Sequence, residues 1–438
     1  MSFTVKDILQ MEVAPALGCT EPVAIALGAA AAASLLPGKT IDSIEMWADP
    51  NIYKNGMAVV IPGTGGMTGL DVAAAVGAFG GDPSLGLEVL NTVDQQTVEK
   101  TKTLLEKKGI DVHLIEESGL HIKTIITSGN DRAFSEIKEL HTNIVSLTLN
   151  DVPVTDSPLL SKVASKSGKS AMAILEEWLM GLTLDDIFEL IDEIDEDDLA
   201  FLKKGVEYNV KLAEHGLKYG SGLGIGKAIE RQLKQKLMVK DMATSARIMT
   251  SAAADARMSG VNLPAMSSAG SGNHGLTAIL PIWAIKDFVD HDEETVLRAI
   301  GLSHIITAYV KAHTGRLSAV CGCSVAAGAG ATAGITYLVG GDVKHMAGAI
   351  KNIMEDLAGV ICDGAKAGCA LKLNTAAGAA VQAALFSLQG INVQDTDGII
   401  GDSTEQTVRN LGTLSHQGMV QTDRTILKIM RDKVKSKQ

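Results

Sequence analysis

The stretch Gly359-Val-Ile-Cys362-Asp-Gly-Ala-Lys-Ala-Gly-Cys369 places two cysteines on a loop of small residues between two apolar segments. Two more cysteines, Cys321 and Cys323, lie upstream in another short loop of mostly small residues. Four of the five cysteines of the chain therefore fall within two segments of its C-terminal half. The glycine and alanine on both sides of these loops predict helices that pack closely through small side chains.

Around these loops the sequence pattern is helical from Ser170 nearly to the end of the chain. The N-terminal part differs, because strand-like alternation such as that at 41–48 is mixed with helical periodicity such as that at 70–79. At 438 residues the chain also exceeds the usual size of one hydrophobic core. We therefore expect an α+β fold, with an N-terminal α/β domain over residues 1–155 and a larger, mostly α-helical, Gly/Ala-rich domain over residues 156–438.

Net charge and hydropathy argue against several functions. The formal net charge of −12 disfavours nucleic-acid binding, which needs a basic surface. The first residues carry mixed charge and lack the apolar run of a secretion signal. The uncharged stretch 317–341 is long enough to cross a bilayer, but it is mostly small residues, so we expect a buried helical hairpin. The sequence predicts a cytoplasmic protein with reduced thiols and no membrane or nucleic-acid partner, and it leaves the oligomeric state open, a homo-oligomer included.

The spacing of the four clustered cysteines leaves three interpretations open. A zinc ribbon prefers paired Cys-x2-Cys knuckles, which this chain lacks. An iron–sulfur cluster accepts looser spacing, because the fold assembles its ligands. Buried free thiols are the third possibility, since cysteine is often a small core residue.

One loop before a predicted helix carries the polar residues expected of a binding site. The segment 266–275, which contains Ser267, Ser271, Gly272 and Asn273, has the composition of an anion-binding nest, and a substrate carboxylate is a natural guest. An ordinary capped loop is the alternative.

Cys19 lies at the start of an Ala-rich helix, for which we expect Thr20 to be the N-cap. The positive end of that helix predicts a lowered thiol pKa and a reactive thiolate.

Further polar clusters in the N-terminal half are weak signals one by one, because a lone histidine or asparagine is usually structural. The candidates for substrate binding among them are Asn51, Lys54, Asn55, Gly63, Thr64, His141 and Asn143.

Taken together, these residues resemble the cysteine desulfidase family, which is related to the α-chain of iron–sulfur-dependent serine dehydratases. The matching pieces run through the chain in order, and they include Pro15-Ala-Leu-Gly-Cys-Thr-Glu-Pro22, Gly270-Ser-Gly-Asn273, Arg316-Leu-Ser-Ala319 and Ile361-Cys-Asp-Gly-Ala365. His274 departs from the glutamine of some relatives, a difference that bears on substrate choice.

The resemblance implies a [4Fe–4S] cluster held by Cys362, Cys369 and either Cys321 or Cys323, of which we favour Cys321. One iron would stay open to substrate. Cys19 corresponds to a thiol proposed as the catalytic base. The helical domain would then hold the cluster, and the α/β domain would supply the base and substrate contacts.

The activity that the resemblance implies is β-elimination of L-cysteine to sulfide, ammonia and pyruvate through aminoacrylate. Dehydration of L-serine or L-threonine on the same cluster is one alternative, and a non-catalytic iron–sulfur redox sensor is another. Pyridoxal phosphate chemistry at Lys54 or Lys366 is disfavoured, because no phosphate-binding loop accompanies either lysine.

Overall fold

The computed structural model describes residues 2–116, 119–160, 170–315 and 318–435, so Arg316 and residues 161–169 lie outside it. The α-helices are α1 (Val5–Glu12), α2 (Thr20–Ala33), α3 (Pro50–Gly56), α4 (Leu70–Gly80), α5 (Gln95–Glu106), α6 (Ala171–Met180), α7 (Leu184–Glu189), α8 (Glu196–Tyr219), α9 (Ile225–Lys234), α10 (Met242–Met258), α11 (Gly272–Ile285), α12 (Glu293–Thr314), α13 (Ala326–Leu338), α14 (Val343–Leu357), α15 (Cys369–Leu388), α16 (Thr404–Thr413) and α17 (Val420–Lys435). The strands are β1 (Pro15–Leu17), β2 (Ser43–Ala48), β3 (Ile110–Leu114), β4 (His121–Ser128), β5 (Asp131–Lys138), β6 (Ile144–Leu149), β7 (Val152–Pro153) and β8 (Pro264–Met266). The predicted α+β class is confirmed.

The N-terminal part is built on one six-stranded sheet in the order β3-β2-β4-β5-β6-β7. Strands β2 and β3 run parallel, and the other neighbours are antiparallel. Alternate residues such as Ile44, Met46 and Ala48 are buried on the face that carries α2. This alternation is the period-2 pattern expected of a sheet with one covered face.

Helices α2 and α4 approach each other closely because both present alanine and glycine. A Cβ atom at Gly77 would lie 2.2 Å from the carbonyl oxygen of Ala26, which is closer than any real contact. The backbones therefore touch directly, and this contact fixes α4 against the helix that begins at Cys19.

Gly77→Ala tests this contact. Alanine usually stabilises a helix interior by about 1 kcal/mol relative to glycine, but here we expect a net loss of about 1–3 kcal/mol in the free energy of unfolding, because the methyl group overpacks the interface. Urea denaturation followed by circular dichroism measures the difference. Gly359→Ala is the matched control, since a Cβ there meets no atom within 4 Å. A Gly77→Ala protein as stable as the control variant would contradict the close approach.

The C-terminal part is a packed group of helices whose core is rich in alanine. Helix α13 packs on α12, and α15 packs on α10. The predicted hairpin at 317–341 is wrong for the described residues of that stretch, which form a turn at the cysteines and then the single helix α13. None of the described helices combines the length and the apolar character that crossing a membrane requires.

The first 17 residues join the two parts of the chain. Val5, Ile8 and Leu9 of α1 are buried in the core of the C-terminal helices. Strand β1 pairs antiparallel with β8, with Pro15 opposite Met266. The predicted division near residue 155 stays a prediction; apart from residues of the first 13, the buried members of the two hydrophobic cores lie on opposite sides of it.

Candidate active site

One cavity lies where the loop between β1 and α2, the loop between β8 and α11, and the two cysteine loops meet. Its lining residues are Cys19, Glu21, Asn55, His141, Arg257, Ala269, Gly270, Ser271, Asn273, His274, Lys311, Ser318, Val320, Cys321, Gly322, Cys323, Cys362, Gly364, Ala365, Cys369 and Lys372. All five cysteines of the chain are in this wall, in the reduced state.

Backbone pairing brings the two cysteine loops together. Val320 and Ile361 form an antiparallel bridge. The Cys321 N–H donates to the Val360 carbonyl at 2.9 Å, and the Cys362 N–H donates to the Ala319 carbonyl at 2.6 Å. Cys369 begins α15 and lies against the same loop, with its Sγ 3.8 Å from the Gly364 carbonyl oxygen. Thiols that are separated in sequence therefore face one cavity.

Basic side chains support these loops. Lys372 Nζ donates to the Ile361 carbonyl at 2.6 Å and to the Asp363 carboxylate at 2.5 Å, and Lys366 pairs with the same carboxylate. A hydrogen bond from Cys323, helped by the charge of Lys372, lowers the pKa of Cys321. Burial raises the pKa of Cys369 to about 11, and Lys366 opposes that effect. Positive charge beside thiols favours the thiolate form that binds metal.

The donor set fits an iron–sulfur cluster better than a single metal ion. In the described part of the chain, no three His, Cys, Asp or Glu side chains converge closely enough to hold one ion. A cluster makes a different demand, because each cysteine binds its own iron atom around a shared cage. Four thiols around one cavity, on loops of small residues with lysines behind them, meet that demand.

Cys19 occupies the predicted position at the start of α2, but its electrostatics differ from the prediction. It is itself the N-cap, so the expected cap at Thr20 is displaced by one residue. Its Sγ donates to Glu21 Oε2 at 3.0 Å. Burial, and then the negative charge of Glu21, raise the pKa of the Cys19 thiol well above its usual value, against the opposing effect of Arg257. The prediction of a lowered pKa is therefore wrong, because it considered only the helix end.

Arg257, at the end of α10, ties the Cys19 loop to the start of α11. It is almost fully buried; its Nη2 donates to the Gly18 carbonyl at 2.5 Å and its Nη1 donates to Asn273 Oδ1 at 2.8 Å. The helix N-terminus beyond Ser271 has no side-chain cap. Its N–H groups, the helix dipole and the guanidinium together make this wall of the cavity electropositive.

His274 presents a hydrogen-bond acceptor to the cysteine loop. Its Nδ1 lies 3.1 Å from the carbonyl oxygen of Ser268, and a carbonyl only accepts, so Nδ1 carries the proton in the neutral ring. Nε2 then keeps its lone pair and is the ring atom nearest Gly322, where a Cβ would be only 2.4 Å away. Burial, with the charges of Lys311 and Arg257, lowers the pKa of His274 to about 3, so the ring is neutral near pH 7.

The predicted substrate-binding residues divide into two groups. Asn55, His141, Ser271 and Asn273 line the cavity. The others do not line it, namely Asn51, Lys54, Gly63, Thr64, Asn143, Ser267 and Gly272.

Several residues of the second group are engaged in holding nearby loops. The Thr64 hydroxyl donates to the Ile61 carbonyl, the Asn143 amide donates to the Lys138 carbonyl, and the Ser267 hydroxyl donates to the Ala14 carbonyl. Lys54 is buried in an ion pair with Asp423. These side chains stabilise the surroundings of the cavity instead of forming its wall.

Sequence reasoning missed four charged residues of the cavity wall, Glu21, Arg257, Lys311 and Lys372. Glu21 does lie in Pro15-Ala-Leu-Gly-Cys-Thr-Glu-Pro22, one of the sequence pieces that carry the family resemblance, and this is a usable signal. Lys311 is buried near the end of helix α12, and a lysine is rarely buried to this extent unless it is paired.

Comparisons with known proteins identify the family of this chain. The serine dehydratase alpha chain family matches residues 84–428. A UPF0597 protein of Desulfotalea psychrophila is 70% identical over 99% of this chain and 100% of its own length. Another from Desulfatibacillum aliphaticivorans is 60% identical over 99% of both chains, and one from Clostridioides difficile is 42% identical over 97% of this chain and 99% of its own. The chain therefore belongs to the UPF0597 group of the serine dehydratase alpha chain family, as the resemblance in the sequence indicated.

Proposed function

We propose that this protein is an iron–sulfur-dependent lyase that eliminates sulfide from L-cysteine, with aminoacrylate released and hydrolysed to pyruvate and ammonia. The observation that carries the proposal is the meeting of four cysteines with Cys19 and with Arg257, Lys311 and Lys372 around one cavity. Family membership supports a lyase. The cytoplasm, where thiols stay reduced, is the proposed location, and a homo-oligomer is the proposed assembly.

Cys321, Cys362 and Cys369 would hold a [4Fe–4S] cluster and leave one iron without a protein ligand. Such an iron supplies Lewis-acid chemistry towards the substrate carboxylate and the departing sulfur. The protein would contribute orientation. The N-terminus of α11 and the nearby Arg257 offer positive charge to the carboxylate, and Cys19 lies in the same wall as the candidate acceptor of the α-proton.

The choice of third ligand is testable with a matched pair of variants. The Cys321 N–H is bonded into the bridge that carries Cys362, and Cys321 is more buried than Cys323. We expect Cys321→Ser to lose bound iron, while Cys323→Ser keeps it. Iron and sulfide analysis after anaerobic reconstitution checks both. If Cys321→Ser keeps its bound iron and Cys323→Ser loses it, Cys323 is the third ligand and Cys321 is not.

Dehydration of L-serine or L-threonine is the second candidate, and the serine dehydratase match favours it. Both reactions break a bond at Cβ and yield an enamine, so the same residues suit either. Anaerobically reconstituted protein should be assayed side by side for sulfide and pyruvate from L-cysteine and for keto acid from L-serine and L-threonine. A higher kcat/KM for L-cysteine supports the desulfidase. A protein with a full cluster that turns over none of the three amino acids is instead a redox sensor.

A further inference from the structure

Glu21 lies in the first turn of α2, and each of its two carboxylate oxygens accepts one hydrogen bond from a different side chain. Oε2 accepts from Cys19 Sγ at 3.0 Å, and Oε1 accepts from Asn55 Nδ2 at 3.0 Å. Asn55 is 5% exposed and belongs to α3, whose N-cap Asp49 accepts the backbone N–H groups of Asn51 and Ile52. The carboxylate is therefore held in place from α3, with one oxygen left to face the thiol.

The three hydrogen-bonded side chains, Cys19, Glu21 and Asn55, all line the cavity. Cys19 is 3% exposed, so its thiol has little direct contact with bulk water. The carboxylate oxygen at hydrogen-bond distance is the acceptor in reach. The charged groups that face the pair are Arg257 from α10 and Asp49 at the start of α3.

We propose that Glu21 is a catalytic residue that takes the proton of the Cys19 thiol, so that the base of the reaction is a Cys19–Glu21 pair and not a lone thiolate. The inference rests on the proposed lyase function. A thiolate formed only when substrate is bound is a stronger base than one stabilised at rest, because its conjugate thiol is a weaker acid.

The proton movements balance. Cys19 Sγ–H passes its proton to Glu21 Oε2, and the freed sulfur lone pair takes the proton from the substrate Cα. The electron pair of the broken Cα–H bond forms the Cα–Cβ double bond, and the C–S pair leaves with the sulfur. Cys19 ends as a thiol and Glu21 as a carboxylic acid, which returns its extra proton to the departing sulfide or to water.

Glu21→Gln tests this role, because glutamine has the shape of glutamate and its one carbonyl oxygen can still accept from Asn55 Nδ2. Its amide nitrogen would then face Cys19 Sγ, and an amide takes up no proton. We expect turnover at neutral pH, and exchange of the substrate α-proton with deuterated water, to fall by about 10²–10⁴-fold. The remaining rate should rise with pH as hydroxide replaces the carboxylate. Glu21→Asp, which retains a carboxylate, should recover part of the rate and the flatter pH profile.

A second readout needs neither cluster nor turnover. Iodoacetamide alkylation of Cys19 in the metal-free protein, followed by peptide mass spectrometry, should be faster in Glu21→Gln than in the unmodified chain, because removal of the negative charge lowers the thiol pKa. Alkylation and turnover would thus change in opposite directions. Slower or unchanged alkylation, or turnover at the original rate and pH profile, would overturn the inference.

Failure of the proposed function gives a different pattern. If the protein turns over no amino acid, the lyase proposal falls, while faster alkylation in Glu21→Gln still establishes the thiol–carboxylate coupling. If turnover is present but Glu21→Gln leaves it intact, the lyase stands and the base is Cys19 alone or another group.

Discussion

Protein carrying Cys362→Ser is expected to bind no cluster and to eliminate no sulfide. The Cys362 N–H donates to the Ala319 carbonyl, so the backbone of the loop keeps its anchor in the variant. The side chain changes from a thiol to a hydroxyl of similar size, which iron in a cluster binds far less readily because it is not deprotonated at neutral pH. Fold and stability should therefore be retained while the ligand is lost.

Iron and acid-labile sulfide in the anaerobically reconstituted variant should fall to background, and the visible absorption should disappear with them. Sulfide and pyruvate release from L-cysteine should drop below detection. Cys19→Ser is the matched control, because Cys19 lines the same cavity but is outside the proposed ligand set. It should keep iron and lose turnover. A full cluster in Cys362→Ser would remove that residue from the centre.

Arg257→Met should cost both stability and turnover. Methionine of similar length leaves the Gly18 carbonyl and Asn273 Oδ1 without the donor that now bonds both. An unsatisfied buried acceptor costs about 1–3 kcal/mol, so we expect the free energy of unfolding of the metal-free protein to fall by about 2–5 kcal/mol. The loop that carries Cys19 would also lose its link to α11, and the electropositive wall would lose its guanidinium.

Urea unfolding of the metal-free chain measures the first effect, and kcat/KM of the reconstituted chain measures the second. Arg257→Lys should recover only part of each, because an ammonium lacks the planar fork that reaches two acceptors. Arg298→Met is the control, since Arg298 also donates to a backbone carbonyl and a side chain but is partly exposed. If Arg257→Met unfolds at the same urea concentration as the control, the hydrogen bonds of Arg257 to Gly18 and Asn273 do not contribute to stability.

Periodicity predicted the elements that are long and regular. Strand β2 and helix α4 lie where their patterns placed them. The acidic stretch 182–200 has the pattern of one amphipathic helix, yet it forms α7, a 3₁₀ turn and the start of α8. Thr183 and Asp195 each cap a helix with a capping box. These capping side chains start new helices within the stretch, at positions that the spacing of apolar residues alone does not reveal.

The glycine-rich segment 220–227 shows why composition alone is a poor guide to ligands. Its spacing does not match a phosphate loop, and the structure gives the reason for its glycines. The carboxylate of Asp255, which is buried, accepts the N–H groups of Leu223, Ile225 and Gly226. The nest is filled by an anion of the protein itself.

Only part of the candidate site could be predicted from the sequence. The clustering of cysteines is visible in the chain, but the partners of Cys19 are not, because Arg257 contacts the Cys19 loop across more than 200 residues. Burial of the thiol, which reverses the effect of the helix end on its pKa, also depends on that distant packing. The clustering of the cysteines could therefore be read from short segments of sequence, whereas the pKa of Cys19 depends on residues that only the fold brings together.

The pairing of β1 with β8 determines when the N-terminal strand can reach its final position during translation. A ribosome that has released β1 must still translate as far as residue 266 before that strand finds its partner, and long-range pairing of this kind forms late. The nascent N-terminal half thus emerges with Cys19 but without Arg257, which donates to the Gly18 carbonyl in the finished molecule. A cluster held by Cys321, Cys362 and Cys369 would therefore have to be inserted after translation has passed residue 369.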